Sequence, residues 1–131
     1  MTKQGWVRSP VVGGVIGVFA GGLTVFLMEA LGHALFGTAD PADLSSVTGV
    51  MWGSVLVAWI VGSAVAGAAA TLWARSTSLV LGVVMGLVLL AAAVSNMFVI
   101  PHPVWMMVAA VLLMPAAAIT AARYAARSAR A

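Results

Sequence analysis

The chain has 131 residues, of which 63% are hydrophobic and 7% are charged. Because a soluble domain keeps roughly a quarter of its residues charged, this composition excludes an ordinary water-exposed domain and indicates one embedded in a lipid bilayer. The six basic side chains give a formal charge of +3, but they lie at the ends of apolar segments, so no nucleic-acid partner is expected. The absence of cysteine excludes disulfides and thiolate metal sites.

Four apolar segments are long enough to cross a bilayer, which takes about 20 residues. They cover about residues 10–33, 47–73, 79–100 and 104–122. Only helices and closed barrels satisfy the backbone in lipid, and continuous apolar runs of this length are typical of helices. The sequence therefore predicts an all-α membrane protein, with residues 1–131 forming a single four-transmembrane-helix up-down bundle. The first segment is longer than the core of a signal peptide and is predicted to remain as a span.

The basic residues precede the first span, separate the second from the third, and follow the fourth; they are Lys3, Arg8, Arg75, Arg123, Arg127 and Arg130. The other two loops carry Asp40 and Asp43 in one case and His102 in the other. Since cytoplasmic loops are enriched in Lys and Arg, this pattern predicts that both termini lie on the cytoplasmic side of the cell membrane. Aromatic residues also mark both interfaces, namely Trp6, Trp73 and Tyr124 on the inner side and Phe36, Trp52 and Trp105 on the outer side.

Small residues recur at four-residue intervals along the first three spans. Such residues share one helix face and let helices approach closely in lipid. We expect the following glycines to mediate helix packing: Gly13, Gly17, Gly21, Gly62, Gly82 and Gly86. The pattern favours packing within one bundle, and it leaves open the docking of a partner protein on one of these faces.

Three tryptophans of the second span, Trp52, Trp59 and Trp73, are separated by multiples of seven residues. A helix drifts only about 20° per seven residues, so the three side chains are expected along one flank. We expect that flank to face lipid or a partner. A stacking platform for a cofactor is the alternative.

The few polar side chains of the spans converge on one end of the bundle. Glu29 and His33 lie four residues apart, on one face of the first helix near its outer end. Asn96 lies near the outer end of the third span, and His102 follows it in the loop. We expect these four side chains to form a shallow polar pocket, since intramembrane ionisable residues are functional candidates by default.

Several kinds of chemistry fit this set of residues. Glu29 and His33 could form an ion pair that only ties the helix end, or a pair that handles protons. His33, His102 and Glu29 are a legitimate metal-ligand set, although their spacing is not that of a metalloprotease helix. The two histidines could also ligate a haem, and His102, Asn96 and Glu29 could bind a quinone or a lipid headgroup. The sequence ranks none of these, so the cofactor is unknown.

Residues 28–33 (MEALGH) together with residues 96–105 (NMFVIPHPVW) resemble a family of small four-helix bacterial membrane proteins that has no assigned activity. The resemblance covers nearly the whole chain, through these two patches and the spans between them. It implies the four-span fold and brings no catalytic residues. Small multidrug exporters also have four short helices and one glutamate in the first, but that glutamate lies at mid-membrane and its flanking residues differ from those here.

The sequence contains no nucleophile–base arrangement and no phosphate-cradling or dinucleotide-binding glycine loop. We therefore predict a non-enzymatic accessory or assembly subunit that packs against a membrane partner or forms a homo-oligomer. The alternative is a protein that handles a ligand or an ion, whether metal, haem, quinone or proton, through Glu29, His33, Asn96 and His102.

Overall fold

The computed structural model describes residues 8–38, 40 and 43–128. Within these residues the regular structure is entirely helical: α1 covers Pro10–Phe36, α2 Gly49–Trp73, α3 Val80–Val99 and α4 Val104–Ser128, with a 3₁₀ turn at Leu44–Ser46. Each α-helix is long and apolar enough to cross a membrane. The prediction of an all-helical chain with four potential spans is confirmed. Lys3, Trp6 and Arg130, which entered the prediction of topology, lie outside the described residues.

Local sequence signals set the helix boundaries. The side chain of Ser9 accepts a hydrogen bond from the Val12 N–H at 3.3 Å, and Pro10 occupies the first helical position, so α1 begins with a capped turn. Gly37, with φ 88°, ends α1 in the left-handed region that glycine adopts without strain. α1 therefore continues three residues past the predicted span, because its end is set by this glycine and not by bilayer thickness.

The segment between α1 and α2 is held by short-range hydrogen bonds. The Asp43 carboxylate accepts from the Ser45 hydroxyl at 2.6 Å and from the Ser45 N–H at 3.0 Å. These two bonds, with the hydroxyl first, hold the pKa of Asp43 below its ordinary value, because they stabilise the charged form. This segment therefore stays negatively charged at neutral pH. α2 itself begins after Thr48, whose hydroxyl accepts from the Met51 N–H.

α2 is the central helix of the bundle. Half of its most apolar 18-residue window is buried, against 17% for the corresponding window of α1. α2 contacts all three other helices, and α3 and α4 also pack on each other. α1 packs mainly on α2 and contacts α3 only slightly. α1 is thus attached to the bundle along one face.

Backbone-to-backbone approach characterises the α1–α2 contact. A Cβ atom would lie only 2.6–2.7 Å from a carbonyl oxygen of α2 at three glycines of α1, Gly13, Gly17 and Gly21. From the other side, Gly62 of α2 contacts Val25 and the Gly21 carbonyl. No larger residue fits at these positions without moving the helices apart.

Close approach also occurs between α3 and α4. A Cβ at Gly82 would lie 2.6 Å from the Ala122 Cβ, and one at Gly86 would lie 2.8 Å from the Pro115 Cα. α4 is helical on both sides of Pro115. These contacts bring the last part of α4, with Arg123, beside the start of α3. We call this the Arg123 end of the bundle and the opposite one the His102 end.

Candidate functional site

Trp59 of α2 and Glu29 of α1 are joined by a hydrogen bond between the two helices. The Trp59 indole N–H donates to the Glu29 carboxyl oxygen Oε1 at 2.8 Å. Trp59 is only 4% exposed and Glu29 is half-buried. A buried indole N–H needs an acceptor and a carboxyl group among apolar residues needs a donor, so each group satisfies the other.

His102, in the loop between α3 and α4, packs against two tryptophans of α2. Its ring centroid lies 4.9 Å from that of Trp52, at an interplanar angle of 54°, and 5.4 Å from that of Trp59, at 42°. Both geometries lie within the range of favourable tilted aromatic contacts. The side chain of His102 therefore attaches the loop to the first half of α2, the central helix.

The backbone of the same loop selects one form of the His102 ring. His102 Nδ1 is within hydrogen-bonding distance of the Ile100 carbonyl oxygen. A carbonyl oxygen can only accept, so Nδ1 carries the proton and donates. In the neutral ring, Nε2 is then left as a hydrogen-bond acceptor.

Together Glu29, Trp52, Trp59 and His102 form what we call the Glu–Trp–His cluster. It connects α1, α2 and the α3–α4 loop, which are far apart in sequence. Chemically it combines an acid, a buried N–H donor and an imidazole with one free acceptor nitrogen. Such a set can fix helices relative to one another, and it can also accept or release protons.

The structure brings together two of the four predicted site residues and leaves two apart. Glu29 and His102 contact the same indole. His33 is exposed, and its side chain forms no hydrogen bond or ion pair within the part of the chain that is described. The preceding residue, Gly32, lies against Ser54 of α2. One residue corresponds to a rotation of about 100° around the helix. His33 is therefore turned away from the contact between α1 and α2.

Asn96 is half-buried near the end of α3. Its backbone carbonyl accepts from the Ile100 N–H at 2.9 Å and so ends the helix. Its side chain has no hydrogen bond among the described residues. Asn96 thus contributes a main-chain hydrogen bond, four residues before the start of the loop that carries His102.

The proposed metal ligands His33, His102 and Glu29 are not assembled into one group. Among the described residues, no three histidine or acidic side chains lie close enough together to hold a metal ion. The separation follows from the same geometry, since His33 points away from α2 while His102 packs on it.

The expectation that the flank with the three tryptophans faces lipid or a partner is wrong for Trp59. Trp59 is buried, Trp52 is half-buried against His102, and only Trp73 is well exposed, at 43%. Sequence reasoning missed Trp59 as the partner of Glu29. The available signal was depth: each residue lies about two to three helical turns from the loop between α1 and α2.

Comparison of the chain with family models, curated proteins and solved structures found no match.

Proposed function

We propose that the protein is a small, non-enzymatic subunit of the cell membrane that packs against a membrane partner or a second copy of itself. The observation that carries this proposal is the one-sided attachment of α1. The outer face of α1 is exposed along its whole length; its large exposed side chains include Phe19 at 75% and Phe26 at 67%.

Two open apolar grooves border α1 and support the same proposal. One, of about 610 Å³, separates α1 from α3 towards the Arg123 end and includes Val15, Phe19 and Val84 in its wall. The other, of about 480 Å³, lies between α1 and α2 towards the His102 end and includes Leu35 and Val57. A partner helix with small residues could enter either groove, because close approach in lipid requires small side chains.

The test is photocrosslinking inside the membrane. A photoreactive benzoylphenylalanine at Phe19, in the wall of the α1–α3 groove, should form a stoichiometric crosslink to another polypeptide. The same probe at Leu112, which is exposed on α4 at 65%, serves as the matched lipid-facing control. Native mass spectrometry of gently extracted protein should show the same stoichiometry, and a clean monomer by both methods would contradict the proposal.

The proposed arrangement in the membrane is an up-and-down bundle with both termini on the cytoplasmic side. Two contacts support antiparallel α1 and α2: Gly13, near the start of α1, lies against Ala70, near the end of α2, and Gly32 lies against Ser54. The sidedness is supported by the basic residues, since those that are described lie at the Arg123 end and acidic residues lie towards the other.

A second candidate function, handling of a ligand or a proton, is favoured by the Glu–Trp–His cluster. In this cluster an acid, Glu29, and an imidazole, His102, are far apart in the sequence but contact the same indole, that of Trp59. Absorbance spectra and elemental analysis of purified protein test the haem and metal versions. A Glu29→Gln variant tests the proton version: unchanged behaviour, together with no bound chromophore or metal, would leave the cluster a structural role.

A further inference from the structure

A groove at the Arg123 end differs from the two apolar grooves in the chemistry of its wall. Its volume is about 290 Å³, and it lies between α4 and the segment that precedes α3. Arg123 and Arg127 of α4, one helical turn apart, line it together with Thr77, Leu79 and Ala126. We call it the arginine groove.

The chain provides no acidic side chain at this end of the bundle. Its three acidic residues are Glu29, in the Glu–Trp–His cluster, and Asp40 and Asp43, in the segment between α1 and α2. Arg123 and Arg127 form no ion pair within the described part of the chain. Among the described residues, the two guanidinium groups of this groove therefore have no acidic side chain beside them.

The arrangement of Arg127 leaves it able to bind an anion. Its guanidinium carbon lies 5.5 Å from the centre of the Tyr124 ring, a cation–π contact that restrains the side chain. A guanidinium group carries five N–H donors, and none of those of Arg127 is hydrogen-bonded within the described part of the chain, so they stay available to an anion. The Thr77 hydroxyl can supply a further donor on the opposite wall.

The position of the groove indicates which anion fits. It lies beside the start of α3 and the last turns of α4, at the ends of two helices long enough to span a membrane, where we expect lipid headgroups; Leu79 and Ala126 give it an apolar side. Guanidinium groups match phosphate geometry through paired hydrogen bonds, and basic pockets between membrane helices bind phospholipid headgroups. We propose that the arginine groove binds a phosphate group, carried by an anionic membrane lipid or by a free phosphate ion.

The test measures the thermal unfolding temperature of the full chain in zwitterionic micelles at about 0.15 M salt, where long-range charge effects are screened. The probes are phosphatidylglycerol, phosphatidylcholine and inorganic phosphate. Because a ligand that binds the folded state raises this temperature, phosphatidylglycerol should raise it and phosphatidylcholine should not. Inorganic phosphate distinguishes the sources: an equal rise at millimolar concentration assigns the groove to the free ion, and a smaller one to the lipid.

The variants separate a specific site from general positive charge. Arg123→Gln with Arg127→Gln should weaken apparent binding of phosphatidylglycerol about 30-fold, from the expected contribution of two arginines. Arg8→Gln with Arg75→Gln removes the same charge from two exposed residues that lie outside the groove wall and is the matched control. Thr77→Val should weaken binding without altering charge. An equal loss of binding in both double variants would overturn the proposal. So would an unfolding temperature that changes with neither phosphatidylglycerol nor phosphate.

Discussion

The hydrogen bond between Trp59 and Glu29 joins the side chains of two different α-helices. The serine and threonine hydroxyls of the described helices that form hydrogen bonds donate to a carbonyl on the same helix, as with Thr24 and Ala20 or Ser63 and Trp59. A polar contact of this kind is directional, whereas the apolar contacts around it are not. This one hydrogen bond between two residues therefore makes the α1–α2 contact specific.

Replacement of Trp59 by Phe should lower stability by about 1–3 kcal/mol, because Glu29 loses its N–H donor. Because the smaller ring of phenylalanine also loses packing contacts, the bond is measured by a double-mutant cycle with Glu29→Leu. Unfolding of each variant in mixed micelles is monitored by circular dichroism. The cycle should return a coupling energy of about 1–3 kcal/mol. Trp105→Phe, at a position that is 51% exposed, is the control, and a coupling near zero would show that the bond contributes nothing.

Replacement of Thr71 by Val should stabilise the protein by about 1 kcal/mol. The Thr71 hydroxyl is completely buried and has no hydrogen-bond partner among the described residues, while valine has nearly the same shape. Thr24→Val makes the same exchange where the hydroxyl donates to the Ala20 carbonyl at 2.8 Å, and it should give no gain. A loss of stability in Thr71→Val as large as that in Thr24→Val would mean that the Thr71 hydroxyl does have a partner.

Part of the candidate site could be predicted from the sequence. Depth alone placed Glu29 and His102 near one another, because it follows from counting residues along helices of known rise. Which side chain each would contact depends on helix rotation, and α1 carries apolar residues on every face, so no amphipathic pattern specifies its rotation. The partner of Glu29 was therefore predicted as His33, on the same helix, when it is Trp59 of α2.

At the scale of helices, glycine position and not glycine count decides how closely two helices pack. Gly17 and Gly22 both belong to α1, five residues apart. A Cβ at Gly17 would lie 2.6 Å from the Ala66 carbonyl oxygen, whereas a Cβ at Gly22 would have no atom within 4 Å. The two positions differ only in the face of the helix on which they lie.

Gly17→Ala should destabilise the protein by about 1–3 kcal/mol, the usual cost of overpacking. Gly22→Ala should be neutral or stabilising by up to about 1 kcal/mol, because alanine is the better helix former and meets no neighbour. Both variants can be measured by unfolding in mixed micelles. Equal effects of the two substitutions would indicate that α1 does not pack on α2 through this face.

At the scale of the whole molecule, the absence of cysteine in the sequence makes topology directly measurable. We expect a single cysteine at Ser128 to react with a membrane-impermeant maleimide only after the cells are opened. A cysteine at Thr38, at the other end of the bundle, should react in intact cells. The reverse pattern would invert the proposed orientation. Labelling of both cysteines in intact cells would contradict the three spans, α2 to α4, that are proposed between these two positions.

The number of helices could be predicted because span length is set by bilayer thickness and is visible as apolar runs. Their arrangement could not. The central position of α2 depends on contacts such as those of Gly62 with α1, which have no counterpart in hydropathy because all four helices are similarly apolar. The slight contact between α1 and α3 was likewise unexpected, since the predicted pocket required these helices to be neighbours.

The glycine face of α1 has a consequence for the axial alignment of the helices. Gly13, Gly17 and Gly21 are identical residues at equal intervals, and they meet a comparably regular row of small residues on α2. Such a surface fixes the separation of the two helices, and a slide of α1 by one four-residue step, about 6 Å, would bring Ser9 or Val25 to a position that accepts no side chain. The bond from Trp59 to Glu29 has no equivalent one step away, because α1 contains one carboxylate. The three glycines and that one bond therefore select the same register of α1 on α2.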